Sequence, residues 1–469
     1  MNAAGAVSAG AAGSPLPPAG LPRLIQPGGP LTLADHIDRY GPVPFRDPAG
    51  RMGGAGRTGL AGELIAEVER AGLTGRGGAS FPAGRKMRAV AETGRRAGPL
   101  HSQVGTVVVA NGAESEPASA KDRMLLTRAP HLVLDGIALA AEAIGATRGY
   151  LSLHAGEDDL AGQLVAAITE RERSGLNRVP IQLVLVTGGY VASQETALLS
   201  RLNGGPPKPT FVPPRPAQKG AHGRPTLVQN VETLAHIALI ARFGADWFRE
   251  MGTGPGGNAA AAPGSALVTV TGAVRKPGVY EIALGTPVGD LVSQAGGPTE
   301  TPQAVLAGGY FGGWLPYDRA VTTGVSDPGL RAAGASLGPG VLVLLPESAC
   351  GLAETARAAA YLAAQSAGQC GPCLNGLPAL AEALGRVAFG RPEPGVLRWA
   401  EELLDLVARR GACHLPDGTA AFAASALWTF ADEIRQHSSS GPCARVRHPA
   451  VLPGPAPVPP APGPAGRPG

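Results

Sequence analysis

The stretch Thr106-Val-Val-Val-Ala-Asn-Gly-Ala-Glu-Ser-Glu-Pro-Ala-Ser-Ala-Lys-Asp-Arg123 decides the fold class. Its uninterrupted apolar run, 107–110, has the character of a strand buried on both faces. Polar and charged groups crowd in directly after that run, at the strand's C-terminal end, where open α/β sheets place their ligands. The pattern then alternates. Residues 131–144 read as an apolar helix, 149–153 as a strand, 160–168 as a helix and 181–186 as a strand, with helical continuation through 194–202 and 229–251. Such alternation predicts a parallel sheet with covered faces.

Upstream lies a second concentrated segment, Leu73-Thr-Gly-Arg-Gly-Gly-Ala-Ser-Phe-Pro-Ala-Gly-Arg-Lys86. Glycines let a backbone approach a ligand and aim its N–H groups into a concave nest, and the neighbouring cations would neutralise a phosphate. Alone, a glycine-rich loop is a weak signal, because turns use glycine for geometry as often as for ligands.

Together, in this order, the two segments resemble the NADH-oxidising flavoprotein subunit of respiratory complex I. The same family includes the diaphorase subunits of NAD-linked hydrogenases and formate dehydrogenases. The resemblance runs over about residues 55–437 and implies a multidomain α/β chain. A Rossmann-like parallel-sheet domain (31–251) would hold flavin mononucleotide (FMN) and NADH. A β-grasp, soluble-ligand-binding domain (265–346) and a helical iron–sulfur domain (350–437) would follow. By resemblance, Gly75, Arg76, Gly77, Gly78, Phe81, Lys86, Asn111, Glu114, Tyr190, Asn230 and Thr233 bind the cofactor, with Glu116 and Glu195 beside the nicotinamide. Gly75–Gly78 would take the phosphate and Lys86 would stabilise the reduced flavin.

Several family positions have changed. Gln194, Gln229 and Ala113 replace an acid, an asparagine and an aspartate. On the dinucleotide side Phe81 keeps one ring of an adenine sandwich, but the second falls at Ala89. A lysine and a phenylalanine have become Val212 and Arg215. Losing such rings weakens base binding, since stacking contributes roughly 1–3 kcal/mol per base. Arg215 and Arg88 open a second possibility, a 2′-phosphate site favouring NADPH, against the simpler reading of solvated loop arginines.

An odd cysteine count, five, argues against a disulfide framework. Cys370-Gly-Pro-Cys373 has a chelating or redox spacing. The resemblance adds Cys413 to a [4Fe–4S] ligand set but finds Ala367 where a fourth cysteine stands in the family. Three thiolates leave a three-iron cluster, a four-iron cluster completed by water or His414, recruitment of Cys350, or an empty site of buried thiols.

The remaining features bound the reading. Residues 1–30 and 444–469 are rich in Pro, Ala and Gly without periodicity and are expected as disordered tails, and 252–264 as a linker. With 40 basic and 36 acidic residues, nothing favours nucleic-acid binding. No apolar run is long enough for a membrane span, and the N-terminus lacks a secretory pattern. A cytoplasmic protein is expected, reaching a membrane only through partner subunits. Its implied partners are a nicotinamide dinucleotide, NAD(H) or NADP(H), and a ferredoxin-like or other redox subunit. The competing readings are a flavin electron-transfer subunit that has lost NADH oxidation, and a degenerate assembly protein.

Overall fold

Four strands, β1 (Thr106–Asn111), β2 (Ala146–His154), β3 (Ile181–Val186) and β4 (Thr226–Asn230), form a parallel sheet in the order β3-β2-β1-β4; the sequence pattern gives the first three, whereas β4 takes in Gln229 and Asn230 from the expected 229–251 helix, which begins instead at Val231. This computed structural model describes residues 20–45, 62–96, 105–252, 262–390 and 395–454. Helix Pro130–Ile144 is buried almost all round, because it lies between the sheet and helix Val231–Arg249. That sandwich, with Val108, Ala110, Leu134, Ile137, Leu234 and Ile237 at its centre, is the core of the first domain.

The second domain is a five-stranded mixed sheet, order β6-β5-β9-β7-β8. Its strands are β5 (Ser265–Gly272), β6 (Gly278–Ala283), β7 (Pro302–Ala307), β8 (Gly313–Pro316) and β9 (Val341–Pro346). Strands β5 and β6 pair as an antiparallel hairpin, and helix Val288–Gln294 is closed by Gly296 and Gly297. Helices Gly351–Ala364, Leu377–Phe389, Val396–Val407, Leu415–Thr429 and Ala431–Ser440 form the C-terminal bundle. Leu380, Leu384, Leu403, Val407 and Phe422 fill its core, each on the apolar face of its helix.

The expected tails need correction over part of their length. Residues 20–30 and 444–454 are packed against the body, each held by a carboxylate, half-buried at Glu281 and buried at Glu354. Glu281 Oε2 accepts from the N–H groups of Arg23 and Leu24, both at 2.8 Å, and the Arg23 guanidinium stacks 3.8 Å over Trp247. At the other end Glu354 Oε2 accepts from Val451 at 3.0 Å and Leu452 at 2.8 Å. Proline and glycine removed the periodicity that composition analysis depends on; backbone donors meeting a distant carboxylate leave no such period. The rest of both expected tails, and 253–261 of the linker, lie outside the described residues.

Among the described residues no single helix is long and apolar enough to cross a membrane. The bent pair Lys121–Arg128 and Pro130–Ile144 passes by length and composition, but the second is the core helix described above.

Candidate active site

The site is assembled where β1 and β4 end. Asn111 and Asn230 are register partners at the C-terminal edge of the parallel sheet. The strand therefore delivers its polar residues to the expected crevice. Asn111 Nδ2 donates to Ser193 O at 2.8 Å, and Asn230 Nδ2 donates to Asp122 Oδ2 at 2.7 Å.

The glycine loop closes over this edge. Thr74 and Pro82 form an isolated bridge, and Gly75 N donates to Phe81 O at 2.8 Å, which pinches the loop's neck. Arg76 N is taken by Thr233 Oγ1 at 2.9 Å. Any donors offered to a ligand thus come from Gly77 onward. A Cβ on Gly77 would stand 3.2 Å from Asn230 Cβ, and Gly78 has φ +109°. The loop is a cradle that side chains would fill, and it fits the phosphate end of FMN.

Beneath the cradle lies a charge network that sequence reading missed. Lys121 Nζ sits 2.9 Å from Glu232 Oε2 and 2.6 Å from Asp122 Oδ1. Arg76 Nε lies 3.8 Å from Glu232 Oε1. All four side chains are buried. Burial raises the Glu232 carboxyl, but Lys121, His236 and Arg76 outweigh it and hold the group down to about 2. Burial wins at Asp122, pushed up to about 7 against the pull of Lys121. Arg76 also donates to Thr74 Oγ1 at 2.9 Å and to Ser265 O at 3.0 Å. Its guanidinium is thus committed to the interior and to β5, while its backbone remains in the loop. Lys121-Asp122 stood inside the quoted 106–123 stretch, so charged residues flanking a strand end were the available signal.

Glu114 turns inward as well. It accepts from Asp122 N and Arg123 N, both at 3.2 Å, and from the Ser119 hydroxyl, at the N-terminus of helix Lys121–Arg128.

At the open side of the crevice Lys86 Nζ meets Glu195 Oε2 at 2.6 Å, with both side chains partly exposed. Lys86 lies in helix Ala83–Arg96 just after the loop, and Glu195 opens helix Glu195–Leu202 beyond β3. Gln194 caps that helix, accepting from Thr196 N at 2.8 Å and Ala197 N at 3.1 Å. The replaced acidic position therefore keeps an N-cap acceptor.

Glu116 is at the junction of all three domains. It accepts from Tyr190 Oη at 2.8 Å and from Tyr310 N, on the second domain, at 3.0 Å. Gly309 (φ +70°) lies so close that a Cβ would be 2.7 Å from the carboxyl. Burial pushes the Glu116 carboxyl up to about 7, although its two main hydrogen bonds oppose this. Tyr190 also packs on Phe311 and Tyr361, ring centroids 4.9 and 6.3 Å away, and its N–H donates to Gln365 Oε1 at 3.2 Å. The β-grasp domain thus closes one wall of the site.

The dinucleotide side is open. Phe81 is 46% exposed, Val212 48% and Phe211 76%, and Ala89 and Arg215 are exposed. Thr210 N donates to Thr196 Oγ1 at 2.9 Å, tying the Phe211 segment beside Glu195. Phe211, which sequence reading passed over, offers a ring one residue before Val212. Arg88 is forked onto Glu69, with Nε 2.7 Å from Oε1.

In the helical domain Cys370 and Cys373 flank a hydrogen bond between their own thiols, and Cys413 faces Cys370. Burial raises the Cys373 thiol, and Cys370 and Cys413 carry it to about 12. At Cys370 burial also raises the thiol, yet hydrogen bonds from Ala412 and Cys373 bring it below its usual value. Ala367 is buried and brings no donor side chain, while its carbonyl accepts from Lys208 Nζ at 2.9 Å. His414 is 89% exposed and turned to Asp417, and Cys350 faces His437 and Cys443 instead of this trio. Three converging thiols fit an iron–sulfur cluster with three protein ligands.

Comparison with known proteins agrees with each part of this layout. Residues 68–239 match the Nuo51 FMN-binding domain, 267–310 the SLBB domain, and 348–437 the NADH-ubiquinone oxidoreductase-F iron-sulfur binding region. The second F subunit of the NADH-quinone oxidoreductase of Rhizobium meliloti (strain 1021) is 32% identical over 393 residues, covering 81% of this chain and 90% of that protein. The NADH-quinone oxidoreductase F subunit of Streptomyces coelicolor (strain A3(2) / M145) is 31% identical over 398 residues, covering 81% and 84%. Among solved structures, the H2-reduced state of an NAD+-reducing [NiFe]-hydrogenase matches with TM-score 0.71 at 31% identity over 81% of this chain. This chain spans 62% of that hydrogenase chain's length.

Proposed function

We propose a function from one premise: this chain belongs to the family of NADH-quinone oxidoreductase F subunits. It is an FMN- and iron–sulfur-binding oxidoreductase subunit that takes electrons from a reduced nicotinamide dinucleotide and passes them to a partner subunit. The observation that carries this reading is the convergence of the glycine cradle, the Asn111–Asn230 strand ends and the Lys86–Glu195 pair on one crevice.

When bound, FMN supplies hydride acceptance from the nicotinamide and release of electrons one at a time. The chain's own residues do the positioning. Gly77 and Gly78 admit the phosphate, and Asn111 and Asn230 fix the crevice floor. Lys86, held in place by Glu195, would supply a positive charge to the bound flavin. Glu116 holds Tyr190 through its hydroxyl and so sets the wall that separates the crevice from the helical domain. Cys370, Cys373 and Cys413 would ligate the cluster, which Tyr190, Gln365 and Tyr361 connect to the flavin side.

A second reading is favoured by the open dinucleotide side. A chain with Ala89, Val212 and Arg215 at ring-bearing or lysine positions could take electrons from a ferredoxin-like carrier instead. Anaerobic titration of the purified chain separates the two. Flavin bleaching by NADH or NADPH, lost in Lys86→Met, is the expected result. Bleaching by reduced ferredoxin alone would select the second reading, and a colourless chain that takes up neither flavin nor iron would overturn both.

A further inference from the structure

Two cysteines remain outside the redox machinery, and the fold brings them together. Cys350 is the N-cap of helix Gly351–Ala364, His437 lies in the last turn of helix Ala431–Ser440, and Cys443 follows that helix. Their Sγ and imidazole nitrogen atoms all lie within 4.8 Å of one another, and all three residues are buried. The Cys350 Sγ to His437 Nε2 distance is 3.9 Å. Glu433, one turn before His437 and 5% exposed, places Oε2 3.2 Å from Cys350 Sγ. Donors bonded tetrahedrally to zinc stand about 3.3–3.8 Å apart. Cys350, His437 and Cys443 thus already approach one face of such a tetrahedron before any ion is added, and the Glu433 carboxylate stands against Cys350.

We propose that Cys350, His437, Cys443 and Glu433 form a zinc site that clips the first helix of the C-terminal bundle to its last, separate from the Cys370–Cys373–Cys413 trio.

The surroundings have the features such a site needs. His437 Nδ1 donates to Val387 O at 3.1 Å, which sets the tautomer and turns the Nε2 lone pair toward the thiols. Cys350 sits at a helix N-terminus, where partial positive charge favours a thiolate. Two thiolates, one carboxylate and a neutral imidazole around a divalent ion leave one net negative charge. Arg445 supplies the offsetting cation, with Nη2 3.1 Å from Glu433 Oε1 and its guanidinium also bonded to Cys443. Soft sulfur with imidazole in a closed four-donor set selects zinc among common divalent ions. No position is left open for substrate, so the role is structural. The site lies at the seam where strand β9 hands over to the bundle and where the 444–454 segment turns back, so it would fix both.

The test uses the full chain. Elemental analysis of the purified protein is expected to find about one zinc per chain beside the iron. The triple variant Cys370→Ser, Cys373→Ser, Cys413→Ser is expected to lose the iron and keep the zinc. The pair Cys443→Ala and His437→Ala is expected to lose zinc and keep iron. Should those variants fail to fold, the wild-type chain still decides. After reduction and chelation, cobalt(II) alone should produce thiolate-to-cobalt charge transfer and tetrahedral ligand-field bands, which zinc then bleaches. Absence of zinc together with absence of those bands would overturn the proposal. So would zinc that disappears with the trio, or a Cys350–Cys443 disulfide in protein that binds no cobalt once reduced.

Discussion

The two ends of the crevice are built on opposite physical principles. At the flavin end, Arg76, Lys121, Asp122 and Glu232 are buried charges that answer one another, and the β5 backbone closes the set. At the dinucleotide end, Phe81, Phe211 and Val212 stand in solvent, and Arg215 is held through its backbone, which meets the side chain of Gln218. One end is organised before any ligand arrives; the other gains most of its contacts only when a base lands on it. Substitutions at the first should therefore register as stability, and at the second as affinity.

The largest effect should come from Glu232→Ala. It leaves Lys121 with Asp122 as its ion-pair partner and removes the carboxylate facing Arg76. Breaking a buried pair by deleting one partner costs about 3–5 kcal/mol. Urea unfolding should show that loss, with flavin retention falling in parallel. A change below about 1 kcal/mol, the level of an exposed pair, would mean the network is solvated and the contrast is false.

Glu116 sharpens the comparison through pH. Its carboxyl titrates at about 7 in the folded protein against an ordinary value of 4.5. The folded state therefore holds this proton after the unfolded chain has released it. Its favourable contribution is complete below pH 4.5 and is lost as pH rises through 7, about 3 kcal/mol in all. Glu116→Gln retains an acceptor for Tyr190 and Tyr310 without the buried charge. The variant should be more stable than the parent at about pH 8, with the gap shrinking towards about pH 5. Parallel stability curves for the two proteins would place the carboxyl in water.

At the open end, Phe211→Ala and Phe81→Ala each test one stacking surface. A ring worth ~1–3 kcal/mol raises KM for the nucleotide about 5- to 150-fold. Because stacking on the adenine is shared by ground and transition states, kcat should hold. A Phe211 variant with unchanged KM would leave Phe81 to stack alone.

What sequence could reveal follows the same divide. The parallel sheet and the cradle were legible because each is a local pattern: alternation and clustered glycines. The Lys121–Glu232 network joins residues more than 100 positions apart, and the Glu281 clamp on Arg23 spans 258. Pairing of that kind has no period. Cys350, His437 and Cys443 show the intermediate case. The residue types were visible, but only the return of the last helix onto the first brings their donors together.

The smallest effect is expected at Arg215, and it bears on cofactor choice. Its charge beside a position that has lost a lysine invites a 2′-phosphate reading, but an exposed arginine with no side-chain partner among the described residues is a mobile point of charge. A phosphate fork gains its strength from a guanidinium fixed in plane, and Arg88, the other candidate, already spends its fork on Glu69. An unordered surface cation contributes about 0.5 kcal/mol or less. Arg215→Ala should therefore change the NADPH-to-NADH ratio of kcat/KM less than about threefold, and that small change should fade as salt is raised. A loss of about tenfold confined to NADPH would instead require Arg215 to be captured by the ligand. The open end would then carry a specificity of its own, and the division between a prepared flavin site and an unprepared nucleotide site would have to be redrawn.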